Sequence, residues 1–297
     1  MIRTPRCLLF VPAHVAKMIA KAVALPVDAV VLDLEDAVPV AQKDAARRGS
    51  RQYLEKRPGH AFVRINPMNA TTPYSTGCGW DDIQSVVMPG LRGIVLPKAE
   101  GASDVEQCNA AITQVEKERN LPGNSVELYV IVETAKGVIE AVSIARTRLE
   151  RPFRLCFGAG DFTTDIGVDW TRMEEESRVA RSLVVIASRA AGLPQPIDSV
   201  FADISDQEGL SLSAQMARQL GYCGKFVIHP SQIAGVERAF SPTDEQASWA
   251  REVIAGLAEA ERSGAGAFVV RGKMIDYPIV ERARRLLERW EDLNKTE

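Results

Sequence analysis

The segment Asp28-Ala-Val-Val-Leu-Asp-Leu-Glu-Asp-Ala-Val38 contains a short apolar run that ends in a group of carboxylates. The run Ala29–Leu34 is apolar almost throughout rather than alternating, as expected for a parallel strand that is covered on both faces. Asp33, Glu35 and Asp36 lie at or just after its carboxyl end. The segment therefore predicts a buried strand that carries acidic side chains to one edge of a parallel sheet.

Similar runs recur along the chain and alternate with stretches that have helical periodicity. The strand-like runs are Cys7–Val11, Ala29–Leu34, Ala61–Ile65, Gly93–Leu96, Leu128–Val132, Phe153–Phe157, Ser199–Ala202 and Phe226–Ile228. The helical stretches include Val15–Leu25, Gln42–Lys56, Ala102–Arg119, Ala135–Thr147, Glu174–Ala191 and Ser211–Leu220. Eight alternating units predict an α/β fold, a closed (β/α)8 TIM barrel. A doubly wound open sheet is the alternative.

The chain beyond the eighth unit is too short for an independent domain. We expect residues 1–240 to form the (β/α)8 barrel catalytic domain and residues 241–297 to form a C-terminal helical extension. A helix from Thr243 to Arg262 and a final helix from Pro278 to Asn294 are predicted within it. We expect the extension to cover the mouth of its own barrel or that of a neighbouring subunit.

The composition restricts the classes of function. The 297 residues carry a net charge of −3, which gives no electrostatic reason to expect a nucleic acid or an anionic membrane as a partner. The five cysteines are isolated from one another, so neither a disulfide framework nor a zinc site is expected. The sequence shows neither a signal peptide nor a membrane span, and a cytoplasmic protein is expected.

Nearly every strand-like run ends in a polar, charged or turn-forming residue. In α/β barrels the carboxyl ends of the strands together form the active site. Several reactive strand ends in register therefore predict an active site at one end of this barrel. These residues are Pro12, His14, Asp33, Glu35, Asp36, Arg64, Asn66, Lys98, Glu133, Asp161, Asp203 and His229.

Glu133 and Asp161 each follow an apolar strand and precede a helix. Two hard carboxylates without a nearby cysteine or paired histidine favour Mg2+ over zinc, although each could instead cap the following helix. The crowded carboxylates at Asp33, Glu35 and Asp36 could hold metal-bound water, orient a cation, raise a carboxyl pKa, or form a solvated turn. We favour contact with the metal through water for Asp36 and Glu35.

Arg64 lies within the apolar stretch Phe62–Pro67, and a buried arginine needs an anion. Its planar fork suits a substrate carboxylate or an enolate oxygen, and an ion pair with a barrel carboxylate is the alternative. His229 is predicted to orient a loop rather than to act as a base. Asp276 either caps the last helix or reaches an active site through a lid or a neighbouring subunit.

Seven motifs occur in order along essentially the whole chain. They are Leu9-Phe-Val-Pro12, Asp28-Ala-Val-Val-Leu-Asp-Leu-Glu-Asp-Ala-Val38, Val63-Arg-Ile-Asn-Pro67, Val95-Leu-Pro-Lys98, Val132-Glu-Thr-Ala-Lys-Gly137, Gly158-Ala-Gly-Asp-Phe162 and Gly224-Lys-Phe-Val-Ile-His-Pro-Ser-Gln232. Together they resemble the citrate lyase β-subunit-like family, which is related to the malyl-CoA and citramalyl-CoA lyases of the HpcH/HpaI aldolase group. Many members have Glu before the metal-binding Asp, where this chain has Gly160, so the substrate is left open.

This resemblance implies a Mg2+-dependent carbon–carbon lyase that cleaves a 3-hydroxyacyl-CoA such as citryl-CoA, malyl-CoA or citramalyl-CoA. The products would be acetyl-CoA and a 2-oxo acid: oxaloacetate, glyoxylate or pyruvate. A class II aldolase acting on free 2-oxo-4-hydroxy acids, a malyl-CoA-type thioesterase and a scaffold that has lost catalysis are the alternatives. A homotrimer or homohexamer is expected.

The resemblance also implies roles for individual residues. Glu133 and Asp161 would bind Mg2+, and Asp36 would hold metal-bound water. Arg64 would bind the substrate carboxylate or thioester oxygen, and Asp276 of a neighbouring subunit would be the acid–base residue. The residues expected to contact the substrate are Arg64, Glu133, Pro12 and Lys17.

Overall fold

The computed structural model describes residues 4–68, 77–262 and 266–294. Eight parallel strands in this part of the chain pair in sequential order and close into a barrel. They are β1 (Cys7–Pro12), β2 (Ala29–Asp33), β3 (Ala61–Arg64), β4 (Leu91–Leu96), β5 (Glu127–Val132), β6 (Phe153–Phe157), β7 (Ile197–Asp198) and β8 (Gly224–Val227). Because β8 pairs with β1, the predicted barrel is confirmed and the open-sheet alternative is wrong.

Helices connect the strands, as a parallel sheet requires. In the described ranges they are α1 (Ala16–Ala24), α2 (Lys43–Lys56), α3 (Gly79–Val86), α4 (Ala102–Glu118), α5 (Ala135–Ile139), α6 (Ala141–Ala145), α7 (Ala159–Asp165), α8 (Arg178–Ala190), α9 (Gln207–Leu220), α10 (Ile233–Phe240), α11 (Asp244–Arg262) and α12 (Tyr277–Asn294). Single 3-10 turns occur at Val40–Gln42, Glu175–Ser177 and Pro230–Gln232. Among the described helices, none has the length and apolar character that a membrane span needs.

Side chains from all eight strands fill the barrel interior. Every residue of β2 and β4 is buried, which explains why the runs are apolar on both faces. The rings of Phe62 and Tyr129 pack in the interior with centroids 4.4 Å apart and planes tilted by 39°. Gly93 makes room for this pair, because a Cβ there would stand 2.6 Å from the Phe62 ring. The barrel is therefore a packed core, and ligand access is left to its ends.

Two elements differ from the sequence-based expectation. The seventh strand is Ile197–Asp198, so the strand predicted at Ser199–Ala202 is wrong. The chain leaves the sheet at Ser199, whose hydroxyl accepts a 2.7 Å hydrogen bond from the backbone N–H of Ala159. The helix predicted over Ala135–Thr147 is interrupted at Glu140, where ψ is 3°.

The chain divides into two compact units, Thr4–Ala239 and a C-terminal unit that begins at Phe240. In the C-terminal unit, α11 packs on α12 beside an antiparallel hairpin of β9 (Phe268–Val270) and β10 (Lys273–Ile275). The apolar core of this unit consists of Ala250, Val253, Leu257, Ile275, Val280 and Ala283. The predicted C-terminal helices are confirmed, whereas their position over a barrel mouth stays a prediction.

Candidate active site

A cavity of ≈220 Å³ lies at the carboxyl ends of the barrel strands. It combines apolar residues from the strands with charged residues from the turns that follow them. Its lining residues include Phe10, Asp36, Arg64, Ile131, Glu133, Phe157, Asp161, Trp170, Val200 and Phe226. The barrel thus brings Arg64, Glu133 and Asp161 to one cavity, as the strand ends predicted.

Arg64 and Asp33 form an ion pair at the ends of two neighbouring strands. The register of β2 and β3 places the two residues opposite each other. Nε and Nη2 of Arg64 each donate a 2.7 Å hydrogen bond to the Asp33 carboxylate. Burial alone would raise the pKa of Asp33, but the charge and hydrogen bonds of Arg64 hold it below its usual value. The remaining Nη1 of Arg64 lies 3.0 Å from Oε2 of Glu35.

Lys98 connects the other acidic groups. Its backbone N–H donates a 2.8 Å hydrogen bond to Oε1 of Glu133. Its ammonium group contacts Glu35 and lies 3.1 Å from Oδ2 of Asp36 and 3.4 Å from Oδ2 of Asp161. The backbone at Lys98 has a φ of 52°, a left-handed conformation that costs free energy for a residue with a side chain. Burial opposes the charge of Lys98, but the surrounding carboxylates raise its pKa, so it stays protonated.

We call this group of charges the mouth cluster, and it contains more carboxylates than cations. Burial raises the pKa of Glu35 to about 7, and the nearby Asp36 adds to the rise. Burial, Asp161 and Glu35 raise the pKa of Glu133 well above its usual value. Burial is the main cause of both shifts, and the neighbouring carboxylates add to them. The members are the carboxylates Asp33, Glu35, Asp36, Glu133 and Asp161 and the cations Arg64 and Lys98.

The residues present fit a magnesium ion. Mg2+ takes hard oxygen ligands, often only one or two carboxylates, and its charge would offset the excess in the mouth cluster. Gly158 leaves room beside Glu133, because a Cβ there would stand 2.3 Å from Oε2 of Glu133. Thr134, rather than Glu133, caps α5. In the ranges that the structure describes, no group of three or more metal-ligating side chains is found, so the candidate ligands are the pair Glu133 and Asp161.

The other predicted contact residues lie outside this cavity lining. Pro12 ends β1, and Lys17 is exposed on α1. His229 caps the 3-10 turn Pro230–Gln232 by accepting a 3.2 Å hydrogen bond from the N–H of Ser231. Asp276 belongs to the C-terminal unit, where its carboxylate accepts a 3.3 Å hydrogen bond from the N–H of Ile279. The substrate or catalytic roles of Pro12, Lys17 and Asp276 stay predictions.

A second group of charges lies behind the loop that follows α7. We call it the balanced cluster, because it contains two carboxylates and two cations, all buried. Arg181 donates to Asp198 at 2.7 Å and to Glu174 at 2.8 Å, and Lys225 donates to Asp198 at 2.5 Å. Burial alone would raise the pKa of Asp198, but Arg181 and Lys225 hold it below its usual value. The balanced cluster consists of Glu174, Arg181, Asp198 and Lys225.

Sequence reasoning missed Trp170 as a member of the site. Its ring lines the cavity, and its Nε1 donates a 3.2 Å hydrogen bond to Glu174. The only signal was a large aromatic residue in a polar loop after Asp161. Lys98 was recognised as a strand end, but its contacts with the acidic residues depend on its left-handed backbone, which no pattern in the sequence reveals.

A TIM barrel with acidic and basic side chains around a cavity at its carboxyl end has the architecture of a barrel enzyme. The family model described as HpcH/HpaI aldolase/citrate lyase matches residues 6–230, which is most of the chain. The chain belongs to this family.

Individual relatives cover nearly the full length. The citrate lyase subunit beta of Leuconostoc mesenteroides subsp. cremoris is 34% identical over 96% of this chain and 93% of its own. The mitochondrial citramalyl-CoA lyase of Mus musculus is 34% identical over 95% of this chain and 85% of its own. The crystal structure of CitE from Mycobacterium tuberculosis with magnesium, acetoacetate and coenzyme A is 32% identical, with a TM-score of 0.74, over 98% of this chain and 99% of its own.

Proposed function

We propose that the protein is a Mg2+-dependent carbon–carbon lyase that cleaves a 3-hydroxyacyl-CoA into acetyl-CoA and a 2-oxo acid. The observation that carries the proposal is geometric: Glu133 and Asp161 line one cavity, and the mouth cluster around them has five carboxylates for two cations. A divalent cation would relieve this excess, whereas a purely structural cluster would be expected to balance its own charges. The relatives named as a citrate lyase subunit and a citramalyl-CoA lyase support the reaction class.

Glu133 and Asp161 are the proposed ligands of the ion. When bound, Mg2+ supplies a Lewis acid that favours the alkoxide form of the substrate hydroxyl. Asp36 is proposed to orient water at the ion, and Glu35 assists it because both contact Lys98. Lys98 thereby fixes the carboxylates that face the substrate.

Arg64 is proposed to bind the substrate carboxylate or thioester oxygen and to stabilise the enolate that forms on cleavage. It is preoriented for this role, because Asp33 holds two of its nitrogens and the Phe10 ring lies 4.7 Å from its Cζ. By analogy with oxyanion-hole donors, such a contact is worth about 2.7–4 kcal/mol in the transition state. Buried aromatic walls beside it would exclude water from the enolate.

The substrate hydroxyl is proposed to lose its proton to the water that Asp36 orients, and the enolate carbon is proposed to gain a proton from Asp276 of a neighbouring subunit in a homotrimer or homohexamer. Asp276 is half-buried at the start of α12, where the helix fixes its position. Pro12 and Lys17 are proposed to contact the thioester side of the substrate. A cytoplasmic location is part of the same proposal and is supported by the five cysteines, none of which forms a disulfide in the described part of the chain.

The test is a substrate panel with the full chain. Malyl-, citramalyl- and citryl-CoA are incubated with Mg2+, and release of the 2-oxo acid and of acetyl-CoA is measured. We expect cleavage of at least one thioester, loss of activity with a chelator, and recovery on adding Mg2+. Undiminished turnover after the metal is stripped would contradict the proposal. Release of the free hydroxy acid would indicate a thioesterase, and cleavage of free 4-hydroxy-2-oxo acids alone would indicate an aldolase.

A further inference from the structure

The ring of Trp170 lies next to Gly160, the residue that precedes Asp161. A Cβ added at Gly160 would stand 3.3 Å from Cζ3 and 3.7 Å from Cε3 of the Trp170 ring. The first distance is closer than ordinary van der Waals contact, so a longer side chain at position 160 would have to displace the ring. The indole therefore fills the place that a side chain at position 160 would take, beside a proposed metal ligand.

The Trp170 ring is also held from behind. Its Nε1 donates a 3.2 Å hydrogen bond to Oε1 of Glu174, which is only 1% exposed. Oε1 of Glu174 also accepts a 2.8 Å hydrogen bond from Arg181, and its Oε2 accepts a 2.5 Å hydrogen bond from Ser213. The backbone of Glu174 has a φ of 53°, a strained conformation that these contacts maintain. The balanced cluster thus fixes the indole as a rigid part of the cavity wall.

The cationic side chain nearest to this part of the cavity wall is already paired with carboxylates of the protein. Arg64 is the cationic side chain that lines the cavity in the described part of the chain, and it is paired with Asp33 and Glu35. With Mg2+ bound by Glu133 and Asp161, a second carboxylate on a bound 2-oxo acid would meet the apolar Trp170 ring, and the described cavity lining offers it no cation beyond the already paired Arg64. Burying a charge without a counter-charge is costly. A hydrogen atom or a methyl group would pack against the ring without this cost.

We propose that Trp170, seated over Gly160, selects the substituent of the 2-oxo acid: it admits hydrogen or methyl, as in glyoxylate and pyruvate, and rejects the carboxymethyl group of oxaloacetate. The inference rests on the proposed function, because it assumes that the cavity binds the 2-oxo acid. It assigns the preferred substrate to thioesters that yield a monocarboxylic 2-oxo acid.

The test compares binding of two acids by calorimetry. Pyruvate and oxaloacetate are titrated into the full chain with saturating Mg2+, for wild type, Trp170→Ala and Trp170→Phe. We expect wild type to bind pyruvate at least about tenfold more tightly than oxaloacetate, which is a typical discrimination for a shaped apolar pocket. Trp170→Ala is expected to reduce this ratio to about threefold or less, because the ring is gone. The affinity ratio of Trp170→Phe, which has a smaller ring, is expected to lie between those of wild type and Trp170→Ala. This variant provides the test if the alanine variant does not fold.

Trp80→Ala is the matched control. Trp80 is 37% exposed on α3 and is not one of the residues that line the cavity, so its loss is expected to leave the ratio at the wild-type value. The inference is overturned if wild type prefers oxaloacetate, if neither acid binds, or if the folded Trp170 variants keep the wild-type ratio.

The thioester panel on the same proteins separates this inference from the proposed function. We expect kcat/KM for citramalyl-CoA relative to citryl-CoA to fall in Trp170→Ala. If no thioester is cleaved, the proposed function fails, but the binding ratio still decides the role of Trp170. If cleavage occurs and the kcat/KM ratio is the same in Trp170→Ala and wild type, the inference fails and the lyase proposal stands.

Discussion

The barrel carries two groups of charges that are built in opposite ways. The balanced cluster has two carboxylates and two cations, and the pKa of its Asp198 is held below the usual value by Arg181 and Lys225. The mouth cluster has five carboxylates for two cations, and the pKa values of Glu133 and Glu35 are raised. One group is balanced by the chain alone, and the other has three more carboxylates than cations, which is the arrangement that the proposed Mg2+ would offset.

This difference predicts that the balanced cluster contributes to stability and that the mouth cluster contributes to function. Charges that the chain balances contribute to the folded state, and removing one of them leaves its partners buried and unpaired. Charges that it leaves in excess destabilise the folded chain until a ligand binds, which is the arrangement expected of a binding site. Substitutions of similar size in the two clusters should therefore affect different properties.

The largest effect is expected for Asp161→Asn in the mouth cluster. The variant loses a proposed metal ligand but keeps its size, so kcat/KM for the best thioester should fall at least about 1000-fold, or about 4 kcal/mol. Its free energy of unfolding without metal should be at least as large as that of wild type, because a carboxylate in excess has been removed. Steady-state kinetics and urea denaturation in a chelator measure the two quantities. Activity within tenfold of wild type would show that Asp161 is not a ligand.

Asp198→Asn makes the same chemical change in the balanced cluster. It leaves Arg181 and Lys225 without their shared carboxylate, so the free energy of unfolding should fall by about 3–5 kcal/mol. Urea denaturation measures the loss, and Asp169→Asn, an exposed aspartate, is the control that should resemble wild type. Below its melting temperature the folded variant should keep most of its turnover. A variant as stable as wild type would contradict the distinction between the two clusters.

The sequence predicted the residues of the mouth cluster better than their contacts. The carboxyl ends of parallel strands converge, so Asp33, Arg64 and Glu133 could be assigned to one end of the barrel without coordinates. The bidentate pairing of Asp33 with Arg64 depends on the register between β2 and β3, which the apolar pattern of either strand does not encode.

The balanced cluster could not be predicted in the same way. Asp198 is in a strand of only two residues, too short to produce a periodic signal, and the expected strand was placed just after it. Its partners Arg181 and Lys225 come from a helix and another strand, so only the closed barrel brings them together. Glu174 adopts a left-handed backbone that a glutamate rarely favours, so its position depends on tertiary contacts.

Mg2+ should stabilise the protein through the mouth cluster alone. At a concentration of about 100 times its Kd, the ion should raise the free energy of unfolding by about 2.7 kcal/mol. Glu133→Gln should lose this increment, although its amide oxygen can still accept the hydrogen bond from Lys98. Asp198→Asn should retain the increment, since its defect is elsewhere. Urea denaturation with and without Mg2+ measures this increment for wild type and both variants. If Mg2+ stabilised Glu133→Gln as much as wild type, Glu133 would be excluded as a ligand.

The smallest effect is expected in the acid range, where the balanced cluster loses its charge. Because the pKa of Asp198 is lowered in the folded protein, its stabilising contribution is complete well above its ordinary pKa of 3.8 and decreases as the pH falls below that value. The difference in free energy of unfolding between wild type and Asp198→Asn should therefore be constant from pH 7 to pH 5. It should narrow by at most about 1.2 kcal/mol at pH 3, where the unfolded chain binds the proton first. Denaturation curves of both proteins at these pH values measure this difference. The contributions of the other carboxylates cancel, since they are the same in wild type and in Asp198→Asn. A difference that widens towards low pH would mean that Asp198 is protonated in the folded protein, and the cluster would then not be balanced.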